Sequence, residues 1–279
     1  MQSDENDAQV ILAVDAGGTF LKSALFRAGR LFAPLAPVPA CSGCGRMEIE
    51  NAFRTVYRNA LAPSQERIAG IAFSVPGPFD YRNGIFLMDH KFQAVKGCRL
   101  ADFFPPLPMT FLHDADAFLS GVSGERPGRL GGVTLGTGLG AAVMIDGKFL
   151  DNEQGSPLYP LWNRPFRGGI AEDHVSAAAL LKACPAEKSV KEIAERPGTD
   201  GVWRAFGDAL AELLTAWRRE LDLEKIYVGG GVAKAKERFM TPALAELPLE
   251  FPSLADPGLH GAAKYFEKHT NPLNERIKA

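Results

Sequence analysis

A glycine turn between two strand-like segments near the start of the chain constrains the fold more than any other feature. Gln9–Asp15 is a run of β-branched and other apolar residues, and Thr19–Arg27 alternates with the period of a strand. The turn Ala16-Gly17-Gly18 joins these two segments. Walker loops and dinucleotide-binding loops place their glycines at other spacings and open a helix. The pattern therefore predicts a β-hairpin.

The segment Asp15–Thr19, called the first loop below, has two interpretations. Glycines permit positive φ, and without a Cβ they let backbone N–H groups reach a phosphate. Thr19 adds a hydroxyl donor, Asp15 is an acceptor able to hold the water shell of a phosphate-bound Mg²⁺, and Lys22 can reach the same anion. The alternative is an ordinary tight hairpin with glycine turn residues. The five residues alone do not decide between the two.

Two more glycine loops follow along the chain. The second loop, Gly136–Gly138, lies between two strand-like runs within Arg129–Ile145, and the third loop, Gly229–Gly231, joins a strand to a helix start. A helix start of this kind can accept contacts from an anion or a purine ribose. Each loop alone is better explained as an ordinary turn. The three in this order predict one nucleotide site between two lobes.

The segment His113–Asp116 lies where a predicted strand, Met109–His113, ends and a helix begins. Asp114 either caps that helix or acts as a general base that accepts a hydroxyl proton during phosphoryl transfer to an alcohol. Asp116 is expected to be a first-turn acid favoured by the helix dipole. His113 is either a polar residue at the edge of the cleft or a substrate contact.

Length and order of elements indicate the fold class. A chain of 279 residues is near the size at which one core divides into two. Hairpins, strands and helices alternate in two successive blocks, which predicts an α/β protein with mixed sheets. The predicted helices include 46–61 and 200–220.

Composition argues against several classes of function. The formal net charge of −2 does not suggest a nucleic-acid-binding surface, and no apolar run is long enough to span a bilayer. The acidic segment Met1–Asp7 does not resemble a secretory signal. The scattered Cys41, Cys44, Cys98 and Cys184 do not resemble a disulfide framework. We therefore expect a soluble cytoplasmic protein without nucleic-acid or membrane partners.

The motifs together resemble the actin/hexokinase/Hsp70-like superfamily and, within it, the ROK family of bacterial sugar kinases and repressors. His113–Asp116 falls where this family has Asn-Asp-Ala-Asn, so Asp114 matches its catalytic aspartate. The other matching segments are the first phosphate motif, the strand leading to the sugar cleft, the second phosphate motif, the adenosine-side motif and the C-terminal Gly-Leu-x-Gly-Ala-Ala: Val14–Lys22, Gly70–Pro78, Gly136–Gly140, Val228–Val232 and Gly258–Ala263.

The resemblance implies a two-lobed actin-like ATPase fold, also called ribonuclease H-like, with mixed sheets and a central cleft. The expected N-terminal lobe is 1–113, completed by a C-terminal helix 262–279, and the expected C-terminal lobe is 114–261. The implied activity is that of a glucokinase-like homodimer, which phosphorylates a hexose hydroxyl with ATP and Mg²⁺. The implied nucleotide-site residues, with Asp15 holding Mg²⁺ through water, are Asp15, Gly17, Gly18, Thr19, Lys22, Gly136, Thr137, Gly138, Gly229, Gly230 and Gly231.

The implied sugar site contains departures from the family pattern. Many members have a Gly-Glu-x-Gly-His segment and a cysteine-rich zinc cluster. Here Glu153 and Glu172 match the two sugar-binding glutamates, but Ser156 replaces the zinc His and the cluster is missing. Zinc needs about four ligands, so we expect a variant without structural zinc. Cys41 and Cys44 are expected to be free thiols in a loop. The expected substrate contacts are Ser74, Gly77, Pro78, Lys91, His113, Asp114, Glu153 and Glu172.

The identity of the phosphate acceptor stays open. His113 and Lys91 both stand where the family has Asn residues expected to face the sugar. Glucose is the default; fructose, mannose and N-acylated hexosamines are alternatives, as is polyphosphate for the donor. A regulatory protein that binds sugar or nucleotide without turnover is a second class. A repressor would need a DNA-binding domain ahead of the first loop, where only a short acidic segment is expected, and the sugar-cleft matches argue against an actin-like filament.

Overall fold

The computed structural model describes residues 9–63 and 68–270, which divide into two compact units. Unit 1 contains the residues up to Gly121, the segment Asp151–Ser156 and the residues from Ala255. Unit 2 contains Val122–Leu150 and Pro157–Leu254. The acidic segment Met1–Asp7 and residues 271–279 of the expected C-terminal helix lie outside the described residues.

Strands and helices alternate along the chain. The strands are β1 (Val10–Ala16), β2 (Phe20–Arg27), β3 (Arg30–Pro34), β4 (Val38–Pro39), β5 (Ile68–Val75), β6 (Phe79–Asp80), β7 (Ile85–Phe86), β8 (Met109–His113), β9 (Arg129–Leu135), β10 (Leu139–Ile145), β11 (Lys148–Phe149), β12 (Pro165–Phe166), β13 (Gly169–Ile170), β14 (Lys225–Gly229) and β15 (Leu249–Glu250). The helices are α1 (Arg46–Leu61), α2 (Asp114–Ser123), α3 (Ala177–Ala183), α4 (Val190–Glu195), α5 (Asp200–Leu221), α6 (Lys236–Phe239), α7 (Pro242–Ala245) and α8 (Pro257–Thr270).

The main sheet of unit 1 is mixed, in the order β3-β2-β1-β5-β8. β1 and β2 pair antiparallel, with Ala16 opposite Leu21, which confirms the hairpin predicted from the glycine turn. β5 is parallel to both β1 and β8. The carboxyl ends of β1, β5 and β8 therefore lie along one edge of the sheet.

Both faces of this sheet are covered. On one face, α1 buries the helically spaced Ile49, Phe53 and Val56, and Phe53 lies in a cluster of aromatic rings. On the other face, α8 buries Leu259 and Phe266 together with apolar side chains of β1, β2 and β5. The periodicity of α1 predicted this helix correctly, because burial of one apolar stripe is what stabilises it.

Unit 2 has a second mixed sheet, in the order β11-β10-β9-β14-β15. β9 and β10 form an antiparallel hairpin around the second loop, and β14 runs parallel to β9. The long helix α5 buries Trp203, Leu210 and Trp217 along one stripe. The predicted α/β class with mixed sheets is therefore confirmed in both units.

The helix expected after the third loop is shorter than a regular helix. A 3-10 turn over Val232–Ala235 follows Gly231, and α6 adds only one turn after it. No helix in the described part of the chain combines the length and apolar character that a membrane span requires.

Glycines allow α2 and α8 to pack backbone against backbone within unit 1. A Cβ added to Gly261 would lie 1.8 Å from the carbonyl oxygen of Ala117, and one added to Gly121 would lie 2.1 Å from that of Pro257. This contact gives a physical reason for Gly261 in the C-terminal Gly-Leu-x-Gly-Ala-Ala motif.

We expect Gly261→Ala to lower the free energy of unfolding by about 1–3 kcal/mol, because the new methyl group forces the two backbones apart. Thermal melting would measure the loss. Gly201→Ala in α5 is a matched control, since a Cβ there has nothing within 4 Å and alanine favours a helix. Equal melting temperatures for Gly261→Ala and the unsubstituted protein would contradict the close packing.

Candidate active site

Several of the predicted site residues meet at the strand-end edge of unit 1. Asp15 lies next to the end of β1 and pairs with Ser74 of β5, and Val75 pairs with His113 at the end of β8. The Ser74 hydroxyl donates a 2.7 Å hydrogen bond to Asp15 Oδ1. Asp114 follows His113 directly. Parallel pairing thus brings together polar residues that are far apart in the sequence.

The Asp15 carboxyl is titratable near neutral pH. Burial raises its pKa from 3.8 to about 6, and the negative charge of Asp114 contributes in the same direction. The hydrogen bond from Ser74 and the charge of Lys22 oppose this rise. A cation beside Asp15 would favour its ionised form.

In the first loop, Gly17 is required by a close contact with backbone, whereas Gly18 lies against a flexible side chain. Neither Gly17 nor Gly18 has a positive φ, so the loop does not use the left-handed conformation that glycine permits. A Cβ on Gly17 would lie 2.8 Å from the Phe20 carbonyl oxygen, and one on Gly18 would lie 3.1 Å from Cε of Lys91. Thr19 is exposed at the hairpin tip. The loop therefore presents backbone that larger residues would cover.

The two lysines near this loop have different surroundings. Lys22 Nζ forms a 2.6 Å ion pair with Asp256, and both side chains are about half exposed. Lys91, which was expected at the sugar, has its side chain along Gly18.

His113 carries out the helix-capping role that was one alternative for Asp114. The Ala115 N–H donates to His113 Nδ1 at 3.2 Å, whereas no backbone N–H of residues 9–63 and 68–270 donates to the Asp114 carboxylate. Burial lowers the pKa of His113, although the charge of Asp114 opposes this. A neutral imidazole can accept the Ala115 hydrogen bond through Nδ1. The same nitrogen lies 3.1 Å from Asp114 Oδ1, and the Asp114 side chain is 45% exposed.

His113 also lies next to Gly77, another predicted substrate contact. A Cβ on Gly77, the residue before Pro78, would lie 3.5 Å from His113 Nε2, and the Tyr81 ring meets the His113 ring edge-on at 5.8 Å. Gly77 and His113 are therefore neighbours, whereas Ser74 is fully buried and its hydroxyl is bonded to Asp15.

Asp116 lies in the first turn of α2, as predicted, and its side chain is fully buried. Neither of its carboxylate oxygens has a hydrogen-bond partner among the described residues. Burial raises its pKa well above the usual range, and the charges of Asp151 and Asp114 add to the rise. Burial also raises the pKa of Asp151 to about 6. The sequence feature that points to the Asp116–Asp151 pair is Asp116 itself, which stands where the family motif Asn-Asp-Ala-Asn has its second Asn.

Glu153 lies on a compact turn of unit 1. The Asn152 side chain accepts hydrogen bonds from the backbone N–H groups of Gln154 and Ser156, at 2.9 and 3.0 Å. The Tyr81 N–H donates to the Gln154 carbonyl at 2.8 Å, which ties the turn to the segment after β5. The turn leaves Glu153 exposed, and Ser156 helps to close it through its backbone.

In unit 2 the second and third loops are adjacent. Gly230 has φ +93°, and a Cβ there would lie 2.4 Å from the carbonyl oxygen of Leu135, the residue before Gly136. Glu172 Oε2 accepts a 2.7 Å hydrogen bond from the Leu139 N–H. Thr137 is exposed at the hairpin tip. Glu172, expected at the sugar, is therefore in direct contact with the second loop.

Solved structures identify the fold. No protein-family model matches the chain, and no curated protein matches it significantly. A glucokinase from Parabacteroides distasonis is 26% identical, with a TM-score of 0.71 over 87% of this chain and 78% of that one. The chain has the fold of the ROK sugar kinases. This finding confirms the resemblance and the two-lobed actin-like class that the motifs predicted.

Two further ROK structures show what else this fold carries. A ROK family glucokinase from Streptomyces griseus, solved with glucose and AMPPNP, is 19% identical, with a TM-score of 0.71 over 92% of this chain and 98% of that one. A ROK family transcriptional regulator, a homolog of the E. coli MLC protein, is 18% identical. Its TM-score is 0.76, and the match covers 93% of this chain and 78% of that one. The ROK fold is thus found in a kinase and in a regulator.

The four cysteines, Cys41, Cys44, Cys98 and Cys184, are free thiols. The neighbouring Cys41 side chain raises the pKa of Cys44. In the described ranges, no three His, Cys, Asp or Glu side chains are grouped so that they could hold a metal ion.

The raised pKa of Asp15 predicts how stability depends on pH. The folded state holds this proton more tightly than the unfolded chain, so the stabilisation is present below about pH 4 and is lost as pH rises through about 6. Asp15→Asn cannot ionise and still accepts the Ser74 hydrogen bond. We expect it to be more stable than the unsubstituted protein by about 1–3 kcal/mol at pH 8, and equally stable at pH 4.

Thermal melting at the two pH values measures this difference. Asp102→Asn, at an exposed aspartate of unit 1, is the control for removing one negative charge. A melting difference of the same size at pH 4 and pH 8 would contradict the assignment.

Proposed function

We propose that this protein is an ATP-dependent sugar kinase that phosphorylates a hexose hydroxyl. The observation that carries the proposal is the half-exposed Asp114 carboxylate at the strand-end edge of unit 1, where the Ala115 N–H donates to His113 rather than to Asp114. The fold is shared with ROK sugar kinases, including one solved with glucose and AMPPNP.

Asp114 is the proposed general base. Its carboxylate accepts the proton of the sugar hydroxyl as the hydroxyl oxygen bonds to the γ-phosphorus. The bond between that phosphorus and the β–γ bridging oxygen breaks, and ADP leaves. Because Asp114 begins α2 immediately after β8, the sheet holds its backbone in place.

Asp15 is the proposed residue for the water shell of Mg²⁺. Its pKa of about 6 fits this role, because a neighbouring cation would restore the charge that burial disfavours. Ser74 orients one of its oxygens. Bound with ATP, Mg²⁺ neutralises part of the charge on the phosphates.

The glycine loops supply the remaining proposed nucleotide contacts. Gly17, Gly18 and Thr19 in unit 1, and Gly136, Thr137 and Gly138 in unit 2, offer backbone and hydroxyl donors to the phosphates. Gly229–Gly231 is proposed for the adenosine side. The contact of Gly230 with Leu135 supports this, since the second and third loops are neighbours in unit 2.

The sugar is proposed to bind His113, Gly77 and Pro78, with Glu153 and Glu172 as further hydroxyl acceptors, while Ser74 acts through Asp15. Burial lowers the pKa of His113, and in the neutral ring whose Nδ1 accepts from Ala115 the Nε2–H would be free to donate to the sugar. Glucose is the first acceptor to test. The resemblance also implies a cytoplasmic homodimer.

A coupled assay for ADP release over a panel of hexoses tests the activity. We expect turnover with at least one hexose that requires both ATP and Mg²⁺. Calorimetric binding of sugar or ATP without any turnover would contradict the kinase and support the non-catalytic regulatory alternative.

Asp114→Asn tests the base. We expect kcat to fall by about 10²–10⁴-fold, because the amide cannot accept the hydroxyl proton, while the melting temperature stays the same. Asp102→Asn, at an exposed aspartate elsewhere in unit 1, should keep full activity. An Asp114→Asn variant with unchanged kcat would remove Asp114 from the mechanism.

A further inference from the structure

Lys91 lies against the first loop. A Cβ built on Gly18 would be 3.1 Å from Cε, 3.3 Å from Cδ and 3.7 Å from Nζ of Lys91. The aliphatic part of the side chain thus runs over Gly18, and its ammonium group ends beside the loop backbone proposed to bind phosphate.

Hydrogen bonds of Ser42 fix the backbone next to Lys91. The Ser42 hydroxyl donates a 2.6 Å hydrogen bond to the Gly18 carbonyl, and the Ser42 carbonyl accepts a 2.7 Å hydrogen bond from the Phe92 N–H. One serine therefore ties the first loop to the residue that follows Lys91.

Phe92 anchors the same point from inside unit 1. Its side chain is completely buried and packs with the rings of Phe53 and Phe86, at 5.8 and 5.7 Å. Its φ of +52° is rare for a residue with a side chain, and the surrounding packing holds it there. The backbone that carries Lys91 is therefore fixed from two sides.

The charge on Lys91 has no counterpart within residues 9–63 and 68–270. No hydrogen bond or ion pair involves its ammonium group, whereas the ammonium groups of Lys22 and Lys96 each form a 2.6 Å ion pair, with Asp256 and Asp89. A half-buried cation without an anion, beside a glycine loop, is complementary to a phosphate.

We propose that Lys91 binds the phosphate chain of ATP at the first loop, rather than the sugar, and stabilises negative charge on the transferred phosphoryl group. This inference rests on the proposed kinase function. The family's Asn at this position carries no charge, so its replacement by Lys adds a cation on the phosphate side.

Calorimetric titration of the full-length protein tests this assignment. Lys91→Met keeps the length of the side chain and removes the charge, and Lys96→Met is the matched control from the same segment. The ligands are ADP, AMP, inorganic tripolyphosphate and the hexose found to turn over, or glucose if none does. Melting temperatures of both variants establish that they are folded.

We expect Lys91→Met to weaken ADP and tripolyphosphate binding by about 10- to 100-fold, the usual effect of losing one charge-assisted contact. AMP should lose less, and sugar affinity should not change. Lys91→Arg should recover part of the ADP affinity. Lys96→Met should bind all four ligands like the unsubstituted protein.

If Lys91→Met lost sugar affinity and kept its ADP affinity, or changed neither, the proposal would be overturned. An unsubstituted protein that binds neither ADP nor tripolyphosphate would also overturn it. ADP binding that depends on Lys91, without turnover of any hexose, would reject the kinase function and support the phosphate role of Lys91.

Discussion

Parallel pairing of β1, β5 and β8 is the constraint on which the proposed chemistry of unit 1 depends. It places Asp15 beside Ser74, and Val75 beside His113, although these residues come from distant parts of the sequence. The hydrogen bond from Ser74 then orients a carboxylate that burial has made hard to ionise. A rigid sheet edge with such a group is suited to holding a cation and an anionic substrate together.

Helix capping connects this edge to the proposed reaction. Because the His113 ring accepts the Ala115 N–H, α2 begins without the Asp114 side chain, which stays open to solvent. Burial lowers the pKa of the same ring, which borders Gly77. A histidine where the family has an asparagine is therefore compatible with both the helix start and a sugar contact.

Local patterns predicted much of this architecture, because hairpin turns and an amphipathic stripe are encoded by neighbouring residues. The hairpin around the first loop and the bounds of α1 are examples. The burial of Asp116 beside Asp151, and the contact of Lys91 with Gly18, depend on segments that meet only in the folded unit. The resemblance gives Lys91 a position in the chain, at an Asn expected to face the sugar, and carries no information on the direction of its side chain.

A crystal structure with a hexose and AMPPNP would test the central claim most directly. The account predicts one Asp114 carboxylate oxygen within about 2.6–3.2 Å of a sugar hydroxyl, with His113 Nδ1 still accepting from Ala115. An Asp114 side chain turned back to cap α2, with no sugar hydroxyl within reach, would contradict it.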